Sequence, residues 1–202
     1  MFAPATLSGR VLVAALALAL SACSASPSGA PSAPEASGPP VLGPGEEFLL
    51  TSESVAPDGE LADTSIGSAY VFCDGPGRSP GLSWSPGPEG TVAFAVKFEN
   101  ITVPFIYWLE YDIPPTTLGV AEQKSGALGG IQGRNSVTSG GFIAPCPEPD
   151  ETHDFLITVY ALDIELGKAS YAADKFDELV AGHILAEAKL EAWKSGPPSE
   201  MP

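Results

Sequence analysis

Two histidines, three cysteines and a serine set between glycines are the side chains on which chemistry could rest in this 202-residue chain. Gly77 to Gly81 spells G-R-S-P-G, the spacing of a nucleophile elbow in which a strand-to-helix turn lifts a serine toward substrate. Pro80 and Pro86 flank the L-S-W-S that follows, and prolines so placed oppose the helix the elbow needs. Ser79 is therefore not read as a nucleophile. The histidines and cysteines are too scattered for any usual metal-ligand spacing, so neither a metal nor another cofactor is expected, and no residue is assigned to catalysis. His183, in the run G-H-I-L-A, reads as a structural hydrogen-bonding residue on a final helix. His153 opens an apolar strand behind a proline-rich loop and is the candidate for a binding role.

The elements that must hold these residues are mostly strands. Segments 91–99 (T-V-A-F-A-V-K-F-E) and 105–113 (F-I-Y-W-L-E-Y-D-I) are rich in aromatic and branched residues and stop at prolines or turns. Segment 155–162 (F-L-I-T-V-Y-A-L) is continuously apolar, as in a strand covered on both faces. Glycine-rich loops at 124–130 and 139–141 separate them. A single helical pattern comes late, with Asp174 as its cap and Phe176, Leu179, Val180 and Ile184 on one face. This order predicts a mainly β (α+β) domain, a sandwich with a C-terminal helix.

Short motifs then follow in one order: S-P-G-L-S-W from Ser79, I-Q-G-R-N from Ile131, A-P-C-P-E-P from Ala144, His153, V-Y-A-L-D from Val159, and G-H-I-L-A-E-A from Gly182. Together they resemble the phosphatidylethanolamine-binding protein family, in its bacterial branch of Raf-kinase-inhibitor-like proteins. The resemblance implies packed antiparallel sheets with a small pocket at one end, where such proteins take an oxyanion such as phosphate or a phospho-headgroup. It also accounts for the serine of G-R-S-P-G as part of the S-P-x-L-S-W segment.

In that family the pocket is built from a D-P-D-A-P turn, a His-Trp pair, a Gly-Pro-rich loop and a His-x-Tyr pair. By register these fall on Asn100 to Pro104, on Tyr107 and Trp108, on Ala144 to Pro147, and on His153, Asp154 and Phe155. Both turn carboxylates and one imidazole are thus replaced. Asn100, Thr102, Pro104, Tyr107, Pro145, His153 and Phe155 are the expected ligand-binding residues. An Asp beside a His favours the charged imidazolium that attracts an oxyanion, whereas Asn100 and Tyr107 keep hydrogen-bonding groups without that titrating pair. The altered pocket is expected to take a neutral or zwitterionic polar group, or to be a relic whose residues only pack.

The N-terminus addresses the chain to a membrane surface. Arg10 precedes ten apolar residues, 11–20, too few for a bilayer-spanning helix of about 20, so 1–22 reads as a signal peptide. Leu20, Ser21, Ala22 and Cys23 resemble a lipoprotein box, which makes Cys23 the expected acylation site; two or more chains anchor stably at about 0.8 kcal/mol per buried CH₂. Residues 23–45, nearly all Ser, Ala, Pro and Gly, form a tether that at about 3.1 Å per residue reaches roughly 70 Å. Residues 46–202 make the folded domain, placed on the extracytoplasmic face of the cell membrane.

Charge narrows the partners. Nine basic residues, one of them Arg10 in the leader, oppose 25 acidic ones, a formal charge of −16. Such a surface repels nucleic acid and acidic lipid headgroups, so the lipid anchor is the only expected membrane contact. Cys73 and Cys146 would face an oxidising compartment, and two readings stand: a bridge contributing up to about 4 kcal/mol, or two separate buried thiols. The function expected is a non-catalytic binding protein for a small polar or phospho-ligand. The alternative is an interaction protein that modulates a cell-envelope partner, as the kinase and protease regulators among the family's eukaryotic members do.

Overall fold

The computed structural model describes residues 38–123, 127–167 and 170–199; the leader, Cys23 and residues 24–37 of the tether lie outside them. Among the described residues, eight strands form two antiparallel sheets. The larger has the order β6-β4-β3-β7-β8, built from β3 (Ala93–Asn100), β4 (Phe105–Ile113), β6 (Ile131–Gln132), β7 (Thr152–Leu162) and β8 (Ile184–Ser195). The smaller has the order β1-β2-β5, from β1 (Leu50–Thr51), β2 (Leu82–Trp84) and β5 (Gly119–Val120).

Alternation along the strands sorts side chains into two cores, as a period of two requires. Phe94, Val96 and Phe98 of β3 and Phe155, Ile157 and Val159 of β7 pack with Leu50, Leu82 and Trp84 of the small sheet. On the opposite face Ala95, Leu109, Tyr111, Tyr160 and Leu162 receive Phe176 and Val180 of helix α1 (Ala173–Val180). Those two helical residues, one turn apart, seat the helix; the Phe176 ring lies 5.9 Å from that of Tyr111 and 5.7 Å from that of Tyr160. Full burial of such a phenylalanine contributes roughly 1.5–3 kcal/mol. Lys97, on the same face, reaches Asp177 of the helix at 3.2 Å and Glu99 at 3.4 Å.

The helix differs from its expected form. Ala172, not Asp174, is its N-cap, and Asp174 sits in the first turn, where its charge suits the helix dipole. It ends at Val180, so Ile184 is not on it. Gly182 adopts φ +84°, which reverses the chain, and Ile184–Ser195 becomes the longest strand, paired along β7. The domain therefore closes on a strand, with the helix before it. His183 lies in the intervening turn, its Nδ1 2.8 Å from the Asp163 carboxylate.

Two features shape the end of the sheet where β3 finishes. In the β3–β4 pairing Phe98 faces Trp108 but Glu99 faces Ile106, so β4 carries an extra residue at Tyr107. That bulge lets consecutive side chains, Tyr107 and Trp108, both pack toward the inter-sheet core. The second feature is a disulfide between Cys73 and Cys146, Cα atoms 6.0 Å apart, which joins segments 73 residues apart in sequence. At the opposite end of the sheet the entering chain is fastened: the Leu42 N–H donates to the Gly87 carbonyl at 2.8 Å, a few residues before β3 begins.

Candidate functional site

A cleft of about 610 Å³ opens beyond the end of β3. Its floor comes from the start of β4 and from β7, as Phe105, Tyr107 and His153; one wall is the 67–77 loop with Tyr70, the other the 143–151 loop with Ile143, Ala144 and Cys146. The two walls are fastened to each other. The Gly67 N–H donates to the Pro145 carbonyl at 2.9 Å, and a Cβ on Gly67 would come within 3.1 Å of the Ala144 Cβ, so any side chain there would press the two loops apart by a few tenths of an ångström. The Cys73–Cys146 bridge adds a covalent tie between the same loops.

The hydrogen bonds behind the floor fix a proton. Asn100, buried at the end of β3, accepts the Thr102 and Val103 N–H groups on Oδ1, both at 3.0 Å, and so closes the turn into β4. Backbone N–H groups only donate, so the oxygen must face them and the Asn100 NH₂ must face His153 Nδ1, 3.0 Å away. Nδ1 is then an acceptor, which leaves the ring hydrogen on Nε2. Nε2 lies 3.1 Å from Glu151 Oε2 and donates to it. The neutral imidazole is thereby strung between an amide and a carboxylate with both nitrogens engaged.

The rings complete the floor. Phe105 and Tyr107 have centroids 4.8 Å apart at 48°, and Tyr107 and Phe155 5.9 Å apart. Burial pushes the Tyr107 phenol above its ordinary value, while the Asn100 side chain pulls it back. Tyr107 is a neutral hydrogen-bonding group here.

The expected residues fall into two groups. Tyr107 and His153 line the cleft. Asn100 orients His153 from behind, and Phe155, fully buried, supports the Tyr107 ring. Thr102 turns away to accept the Asp154 N–H on its hydroxyl at 2.8 Å. Pro104 is exposed outside the cleft, and Pro145 is buried and holds Gly67 through its carbonyl. Ser79 is buried, and S-P-G-L-S-W runs into β2 rather than a helix.

Phe105, Tyr70, Glu148 and Glu151 also line the cleft and were not among the expected residues. The two glutamates are brought there by one turn: the Glu151 N–H donates to the Glu148 carbonyl at 3.0 Å, and Asp150 takes φ +64°. Proline at the second position and a left-handed residue at the third is the type II pattern. The E-P-D-E sequence carried that signal.

Comparison with known proteins places this arrangement. The UPF0098 protein of Methanothermobacter thermautotrophicus is 37% identical over 134 residues, 62% of this chain and 87% of the relative. The UPF0098 protein YbcL of Escherichia coli K12 is 32% identical over 165 residues, 76% and 88% of the two chains. The crystal structure of E. coli YbcL, described as a member of the mammalian PEBP family, superposes with a TM-score of 0.65 at 26% identity, covering 74% of this chain and 99% of that one. A phosphatidylethanolamine-binding protein homolog from Chlamydia trachomatis gives a TM-score of 0.65 at 27% identity, covering 74% and 97%. The phosphatidylethanolamine-binding protein family profile matches residues 51–194, and with the antiparallel sheets and the end cleft already described, the chain belongs to that family.

Proposed function

We propose that this protein is a non-catalytic binding protein held on the extracytoplasmic face of the cell membrane, with residues 1–22 as export signal, Cys23 as acylation site, 23–45 as tether and 46–202 as binding domain. Its ligand is small and polar, of headgroup type, and enters the cleft over Tyr107 and His153. The observation that carries this reading is the cleft itself, with an imidazole and a phenol converging on an aromatic floor at the end where such family members bind.

Thermal-shift screening of small polar and phosphorylated compounds tests it. A compound that raises the melting temperature, with the effect lost in His153→Ala, supports the pocket. A second reading, modulation of an envelope protein, is favoured by the exposed apolar residues at the cleft's rim: Val103 and Val137 are half-exposed, Tyr70 is 61% exposed, and neighbouring Val71 is fully exposed. Absence of any thermal shift, together with a partner captured by the wild type and released by Val71→Asp, would favour that role instead.

A further inference from the structure

The lining of the cleft contains neither lysine nor arginine; its ionisable side chains are Tyr70, Tyr107, Glu148, Glu151 and His153. His153 has both nitrogens occupied, by Asn100 and Glu151, and so offers no donor to an incoming anion. Lys194, its cross-strand neighbour, is held by Glu60 and Asp63 at 2.8 and 2.6 Å. An oxyanion would meet two carboxylates at the mouth and no charged donor inside. A cation would meet the reverse: the rings of Phe105 and Tyr107 set 48° apart, Tyr70 on the facing loop, and a Glu148 carboxylate that has no hydrogen-bond or ion-pair partner among the described residues.

We infer that the cleft selects an alkylammonium group, free or as the cationic end of a phospholipid headgroup. The inference deepens the binding reading above and rests on it. Ring faces attract cations within about 6 Å of their centroids, and an alkylated ammonium has apolar surface to pack against them. A metal ion would need several converging oxygen ligands, and the cleft does not supply them. The formal charge of −16 raises the local concentration of any cation near the surface.

Choline chloride, inorganic phosphate and glycerophosphocholine are titrated into the exported protein bearing Cys23→Ala, followed by calorimetry and by amide NMR shifts. Choline should bind and move the resonances of residues 103–107 and 153. Its affinity should fall about fivefold in Phe105→Leu, and by a similar factor in Glu148→Gln/Glu151→Gln, the latter loss shrinking as salt is added. Glycerophosphocholine binding more tightly than choline would identify a headgroup as the source; equal affinity would identify the free amine. Phosphate bound in preference to choline, or choline binding unchanged in both variants, overturns the cation inference and leaves the pocket standing. Binding of none of the three, with His153→Ala also silent, removes both.

Discussion

The Asn100 amide donates to His153 Nδ1 across 3.0 Å, and this contact sets the polarity of the cleft floor. A carboxylate in that place would accept from the ring, not donate to it. The imidazole could then carry two hydrogens and a positive charge. With the amide it is neutral, and its one N–H is directed at Glu151.

That contrast can be inverted by substitution. Asn100→Asp preserves the acceptor for the Thr102 and Val103 N–H groups, so the turn should remain closed. Combined with Tyr107→His, it should create phosphate binding that is stronger at pH 5.5 than at pH 8, since an ordinary imidazole titrates near about 6.5. Calorimetric titration at the two pH values decides; phosphate binding no better than wild type at either would count against the register that aligns Asn100 and Tyr107 with the family's acid and histidine.

Glu110 should govern part of the acid side of the stability curve. It is fully buried, and burial pushes its carboxyl above its ordinary value of 4.5, partly offset by hydrogen bonds from the Leu128 and Gly130 N–H groups and the Gln132 amide. Because the folded value is the higher one, the folded state binds the proton more tightly, and stability should fall as pH rises from 4.5 through the raised value. Glu110→Gln should flatten that fall, since Gln132 Oε1 is buried without a partner and can accept the new amide once Gln132 flips. Glu110→Ala should cost about 1–3 kcal/mol by orphaning buried N–H groups. Urea unfolding from pH 4 to 8 separates the three proteins.

The bridge between Cys73 and Cys146 should matter twice. In the chain-entropy model a loop of this size is worth about 4 kcal/mol, so Cys73→Ser/Cys146→Ser should lower the melting temperature by many degrees. It should also loosen the two cleft walls, weakening ligand binding at temperatures where the domain is still folded. A variant as stable as the wild type would show that the bridge contributes little beyond what packing already provides.

Cys23→Ala should convert a membrane-associated protein into a released one. Fractionation of cells expressing the variant checks this, and retention of the variant with the membrane would rule out acylation at that residue.

Much of the sheet was readable because its strands advertise themselves chemically. The bounds of β4 coincide with the aromatic run 105–113, and β7 contains the apolar run 155–162. Ile184 opens β8 although the sequence reading puts it on the helix, since Ala, Glu, Lys and Leu around it favour helix. Its alternation shows the strand: Ala186, Ala188, Leu190 and Ala192 pack inward, while Glu187, Lys189 and Glu191 face out, and pairing with β7 overrides propensity. In the site, His153 and Tyr107 were found through motif register. Glu148 and Glu151 were missed because their nearness to His153 depends on a turn that reverses the chain just before β7. E-P-D-E signals the turn itself, but not that its two glutamates end beside His153.

The fastening of Leu42 to Gly87 has a consequence for orientation. The eight-residue β3, roughly 25 Å long, runs from that clasp to Asn100, so the polypeptide enters at one pole and the cleft opens at the other. The clasp between Leu42 and Gly87 therefore stands clear of the mouth, and a ligand can enter or leave without breaking it.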